Sequence, residues 1–206
     1  GYTYPNIYGL AFQRADNGEL LLNNGLPQPT NDSENLGECS PNFNMGFNLS
    51  ANYKRLSLTA TLDWQDGGKM YNGTLLTMNY FGATKESLPY HEGTMVAKGI
   101  DQATGLENTV QVSKQKYFQA YNNVTEAGIY DTSYLKLRDI TLSYKLPKFA
   151  GIDLSVYAFA RNLLLWAKMP TFDPESSQGN GNMGGYFERF SVPNTSSFGG
   201  GFKLSF

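Results

Sequence analysis

The chain has 206 residues, 17% of them charged and 14% aromatic, and its 16 basic and 18 acidic residues leave a net charge of −2. That composition excludes intrinsic disorder, which goes with few aromatics and much like charge, and it offers no field for a phosphate backbone, so nucleic acid is not an expected partner. A single cysteine, Cys39, and a single histidine, His91, exclude an internal disulfide, a zinc site built on two imidazoles and most histidine relays, so no metal and no other cofactor is expected.

Residues 1–41 are turn-rich, with Asp16-Asn17-Gly18, Asn23-Asn24-Gly25 and Pro27-Gln28-Pro29, and read as a loop region. A period of two then begins. Phe43, Met45, Phe47, Leu49, Ala51 and Tyr53 alternate with polar residues, which predicts a strand over about 42–54. Leu56, Leu58, Ala60, Leu62 and Trp64 continue the alternation over about 55–66, and the tight turn at Lys54-Arg55 predicts an antiparallel hairpin. A third strand is predicted over about 132–146. There Leu135 and Leu137 are out of phase with Ile140, Leu142, Tyr144 and Leu146, which predicts a β-bulge near Arg138-Asp139. Pro147 ends it, a fourth strand follows over about 152–166, and a fifth closes the chain over about 196–206.

These segments are longer than the usual globular strand of about five or six residues, and they match the roughly nine to eleven that a tilted membrane strand needs. No run of eighteen apolar residues exists, so no transmembrane helix is encoded, but a membrane barrel needs none. Aromatic residues fall near segment ends, at Phe43, Tyr53, Trp64, Tyr134, Trp166 and Phe206. Short connections alternate with long ones over about 67–131 and 167–195, which predicts tight periplasmic turns, extracellular loops and a periplasmic C terminus. Five strands cannot close a barrel by themselves. The start at Gly1 rather than methionine likewise predicts a processed product or a fragment.

Several blocks resemble a known family. Leu36-Gly37-Glu38-Cys39-Ser40-Pro41-Asn42-Phe43, Asp63-Trp64-Gln65-Asp66-Gly67-Gly68, and the run from Ser133 to Pro147 are similar to the late barrel region of the SusC/RagA-type TonB-dependent transporters. Ala160-Arg161-Asn162-Leu163 and Phe172-Asp173-Pro174-Glu175 follow in the same order. The resemblance implies an all-β fold in which this chain supplies strands 18 to 22 of a 22-stranded transmembrane β-barrel in the outer membrane. It also implies partners: the remaining N-terminal barrel and plug, TonB acting through that absent part, a SusD-like lipoprotein, and outer-membrane lipid. Oligosaccharides or peptides are the implied cargo.

The candidate site residues form two groups. Tyr71, Tyr80, Phe81 and Tyr90, with Tyr117, Phe118 and Tyr121, lie in the 67–131 stretch and are candidates for contact with ligand or lid, set against simple loop packing. Asp63, Gln65, Asp139, Arg161 and Lys203 fall on the polar parity of their strands and are candidates for contact with a lumen or plug. Asp173 and Glu175 are the only carboxylates that suggest acid and base, and Pro174 between them reads as a turn. The glycines at 179, 181, 184 and 185 lack the lysine and helix of a phosphate loop, and Asp101 to Asn108 departs from the spacing of a calcium loop. The sequence thus predicts a non-enzymatic part of a TonB-dependent importer. The alternative is a soluble secreted β-sandwich that binds carbohydrate.

Overall fold

The computed structural model describes residues 4–148, 151–178 and 186–205, which fall into two compact units. One unit comprises 41–68, 132–176 and 192–206. It contains β1 (Pro41–Tyr53), β2 (Leu56–Gly67), β3 (Tyr134–Lys145), β4 (Asp153–Ala167) and β5 (Ser197–Ser205). All neighbours are antiparallel and each strand lies beside its sequence neighbour, so the sheet is a plain meander. Lys54 turns the first hairpin with a φ of 54°, and Gly151, with a φ of 84°, sits in the connection between β3 and β4.

Alternation along each strand gives the sheet two unlike faces. Met45, Leu58, Leu142, Val156 and Phe202 belong to the apolar one and remain exposed to between 38% and 69%. Register explains how this face stays continuous. β3 skips Arg138 between Leu137 and Asp139, which moves the apolar parity from odd to even residues. Opposite it, β4 passes from Arg161 to Leu164, and Asn162 takes a φ of 49°, so two extra residues there leave its own parity unchanged. On the polar face the rings of Phe159 and Tyr157 stand opposite Gly199 and Gly201, where a Cβ would come within 2.6 and 2.7 Å of them.

The sheet is open. β1 and β5 are its two edges and do not pair, so among the described residues no barrel closes. No helix there is long and apolar enough to cross a membrane, which bears on helices and not on strands. The predicted fold, strands 18 to 22 of a 22-stranded transmembrane β-barrel, is therefore corrected to an open five-stranded antiparallel sheet. The outer-membrane placement, with a periplasmic C terminus and extracellular loops, rested on that barrel and is corrected with it. The physical reason is that alternation specifies which side of a sheet is apolar, whereas closure requires hydrogen bonds between first and last strands, which alternation does not encode.

The second unit comprises 1–40, 69–131 and 177–191. Short strands organise it: Asn6–Gly9 pairs with Glu34–Glu38, and Lys69–Asn72 lies between Ile129–Asp131 and Phe187–Glu188. Leu22, Met70, Leu75 and Val124 are its buried apolar centre. Within 67–131, which the sequence presents as one long connection, lie two helices, α1 (Gly73–Tyr80) and α2 (Lys114–Tyr121). Asn72 caps α1, its side chain accepting from the Leu75 N–H at 2.8 Å. The fully buried Glu188 accepts from the Thr74 hydroxyl at 2.8 Å and the Ser191 N–H at 3.0 Å, which sets a carboxylate at the positive end of that helix.

Candidate functional site

The second unit holds a cavity of about 390 Å3 where the end of α1, the short turn Leu88–Tyr90 and α2 come together. Four of the sequence-predicted aromatics, Tyr80, Phe81, Tyr90 and Phe118, line it. Tyr90 and Phe118 stack face to face at 4.4 Å, which fixes the turn against the helix. Tyr80 and Phe81 meet edge to face at 5.2 Å, and Phe81 keeps 75% of its surface in water. Gln115 and Gln119 add amides from the same face of α2 as Phe118, being spaced i, i+4 and i+3 along it.

The cavity wall is held by a local network. Ser87 gives its single hydroxyl proton to the Thr84 carbonyl at 2.7 Å, and His91 Nε2 lies 3.2 Å from that hydroxyl and 3.0 Å from the Gly82 carbonyl. Both neighbours can only accept there, so the imidazole carries its proton on Nε2. Gly82 has a φ of 72°, and a Cβ on it would come 3.1 Å from Nε2.

The other predicted aromatics are placed differently. Tyr71 stacks on Phe187 at 5.2 Å and lines an adjoining cavity of about 300 Å3 together with Tyr80 and Phe81. Tyr121 packs on Phe12 at 4.6 Å, with Tyr117 6.3 Å away. Burial pushes both phenols upward. A larger cleft of about 780 Å3 in the same unit includes Arg14, Glu126 and Lys69, but Arg14 pairs with Glu126 at 2.7 Å and Lys69 donates to the Leu36 carbonyl at 3.1 Å. These three charges are already engaged.

The sheet unit carries a charge network that sequence reasoning missed. Lys136, with only 3% of its side chain exposed, lies 2.6 Å from both Asp173 Oδ2 and Glu175 Oε2. The bulged Arg138 contacts both Glu175 oxygens and the carboxylate of Asp63. Tyr134 donates to Glu175 at 3.2 Å and Asn194 to Asp173 at 2.8 Å. Burial alone would raise the two carboxyls. The donors from Lys136 and Asn194 on Asp173, and from Arg138 and Lys136 on Glu175, outweigh it and hold both below the ordinary carboxylate range. A general acid needs the opposite shift, so the pair is a clamp on residues 168–176 and not an acid and base.

Gln65 donates to the carbonyl and hydroxyl of Thr132 at 3.1 and 3.0 Å. Asp139 lies 3.7 Å from Arg161, whose guanidinium stands 5.1 Å over Phe159, and Lys203 is exposed opposite Ser155. Among the predicted polar-face residues, only Asp63 joins the clamp. Asp101 Oδ1 accepts from Ala103 N, Thr104 N and Thr104 Oγ1 at 2.9 to 3.1 Å, a self-contained turn, and among the described residues no metal-binding cluster occurs. The glycine-dense stretch 179–185 lies outside the described residues.

No family model matches the chain. Two proteins of Formosa agariphila, TonB-dependent receptor P3 and TonB-dependent receptor P26, are each 26% identical to it over 230 and 220 residues. All of the chain is covered, but only 22% and 20% of those proteins, so it spans about a fifth of their length. Among solved structures, the RagAB peptide importer in its closed-closed state matches 98% of the chain with a TM-score of 0.63 at 20% identity. The open-open state gives a TM-score of 0.61 at 22% identity. The chain is thus distantly similar to TonB-dependent transport proteins. The resemblance to SusC/RagA-type transporters stands as that distant relation and is corrected as to a barrel portion, since the sheet is open. The non-enzymatic role read from the sequence agrees with these relatives, which are receptors and an importer by name.

Proposed function

We propose that the chain is part of a TonB-dependent importer of oligosaccharides or peptides that works with a SusD-like lipoprotein, and that the remainder of a longer polypeptide supplies the plug on which TonB acts. The observation that carries this reading is the match of the whole chain to about a fifth of two TonB-dependent receptors. The sheet adds physical support, because two unpaired edges and a broad exposed apolar face need further protein to cover them. In this reading the chain contributes framework and a binding surface, and the clamp on 168–176 holds the sheet's polar face in one arrangement.

The test is uptake by cells that carry the full-length protein. Fluorescent oligosaccharides and oligopeptides are supplied with and without TonB, and with and without the lipoprotein partner. One class enters in a TonB-dependent manner and deletion of the gene abolishes entry. Equal uptake in the deleted strain, or uptake indifferent to TonB, refutes the proposal.

A further inference from the structure

We propose that the cavity between the end of α1, the Leu88–Tyr90 turn and α2 binds a neutral saccharide; the assignment rests on the import reading for its biological use, though not for its chemistry. At about 390 Å3 the cavity lies inside the roughly 300–1,000 Å3 range of small-molecule sites.

Three features select the ligand. The first is the ring of Phe81, held at the cavity with 75% of its surface in water while Tyr90 and Phe118 are spent on one another. A ring face carries negative charge density, and it is complementary to the positively polarised C–H side of a pyranose. The second is the polar set. Gln115 and Gln119 each bring a donor and an acceptor, and Glu92 brings acceptors, which suits hydroxyls that give and take hydrogen bonds together. The third is charge. Among the described residues no lysine or arginine lines the cavity, so a sulfated or uronic sugar, a phosphate or a peptide C terminus finds no counter-charge there. Nor does any strand of the described residues line it, so an extended peptide meets no backbone ladder to extend. The wall is braced by the His91 contacts to Gly82 and Ser87.

The experiment is calorimetric titration of the full-length protein with maltohexaose, cellohexaose, laminarihexaose and mannohexaose, with hexa-alanine as the peptide arm. At least one hexaose binds, and Phe81→Ala and Gln115→Ala each weaken it by about tenfold with unchanged circular dichroism. Both side chains are exposed, so neither substitution removes core packing. Failure of all four sugars to bind at millimolar concentration overturns the assignment. So does sugar binding that ignores both substitutions, or hexa-alanine binding that depends on them. Cellular uptake separates the two readings. Import that continues unaltered in variants with wild-type sugar affinity defeats the site and leaves the importer standing. Ring-dependent sugar binding by a protein that imports neither class defeats the importer and leaves the site standing.

Discussion

Lys136 Nζ sits 2.6 Å from Asp173 Oδ2, across 37 residues of sequence, with the lysine side chain almost wholly withdrawn from water. Removing one member of such a pair strands the other's charge in a poorly solvated place. Lys136→Met is expected to cost about 3 kcal/mol locally. The segment 168–176 would then exchange its amide hydrogens about a hundredfold faster in the full-length protein, as read by mass spectrometry. Adding Asp173→Asn to that variant restores part of the protection, because the stranded charge is gone. Unchanged exchange in Lys136→Met contradicts the clamp.

The clamp also has a pH signature. Both carboxyls are held below their ordinary values of 3.8 and 4.5, so their stabilisation is fully present above those values and is lost as pH falls through the depressed ones. Protection of 168–176, corrected for intrinsic exchange, is expected to stay level from neutral pH down to about 4.5 and to decline only in more acid solution. A decline centred near pH 6 would contradict the assignment to Asp173 and Glu175.

At the sheet edge, Phe159 covers Gly199 on the facing strand. Gly199→Val forces that ring aside, because even a Cβ would lie 2.6 Å from it. The cost is expected to be about 1 kcal/mol of cross-strand packing. It would appear as roughly fivefold faster exchange over 197–205 with β2 unaffected.

Cys39 is 2% exposed, and burial, with a smaller contribution from Glu38, pushes its thiol up from 9.0 to about 11. At pH 8 this lowers the thiolate fraction about a hundredfold. Native protein is therefore expected to react with a chromogenic disulfide reagent at least about a hundred times more slowly than protein in denaturant. Comparable rates would contradict the burial.

How much of this was legible in the sequence follows from the range over which each feature is encoded. The Lys54 turn and the bulge at Arg138 are local, and the parity change from Leu137 to Ile140 announces the bulge directly. The clamp is not local. Lys136 reads as one more polar-parity residue, and Asp173-Pro174-Glu175 reads as a turn, until folding brings them together. The convergence of Tyr80, Phe81, Tyr90 and Phe118 depends on α1 and α2, which are only eight residues each and too short to show a periodic apolar stripe. Asn72 before Gly73 was the available signal, a capping residue ahead of Leu75 and Leu76. The barrel was over-read for the opposite reason, since alternation names an apolar side without naming its neighbour.

The unpaired rims of the meander have a practical consequence. β1 and β5 each present a row of backbone donors and acceptors beside a greasy surface, which is a template for adding a further copy. Chain made by itself in bacteria is thus expected to collect in inclusion bodies, and any refolding protocol should guard against this self-association from the outset.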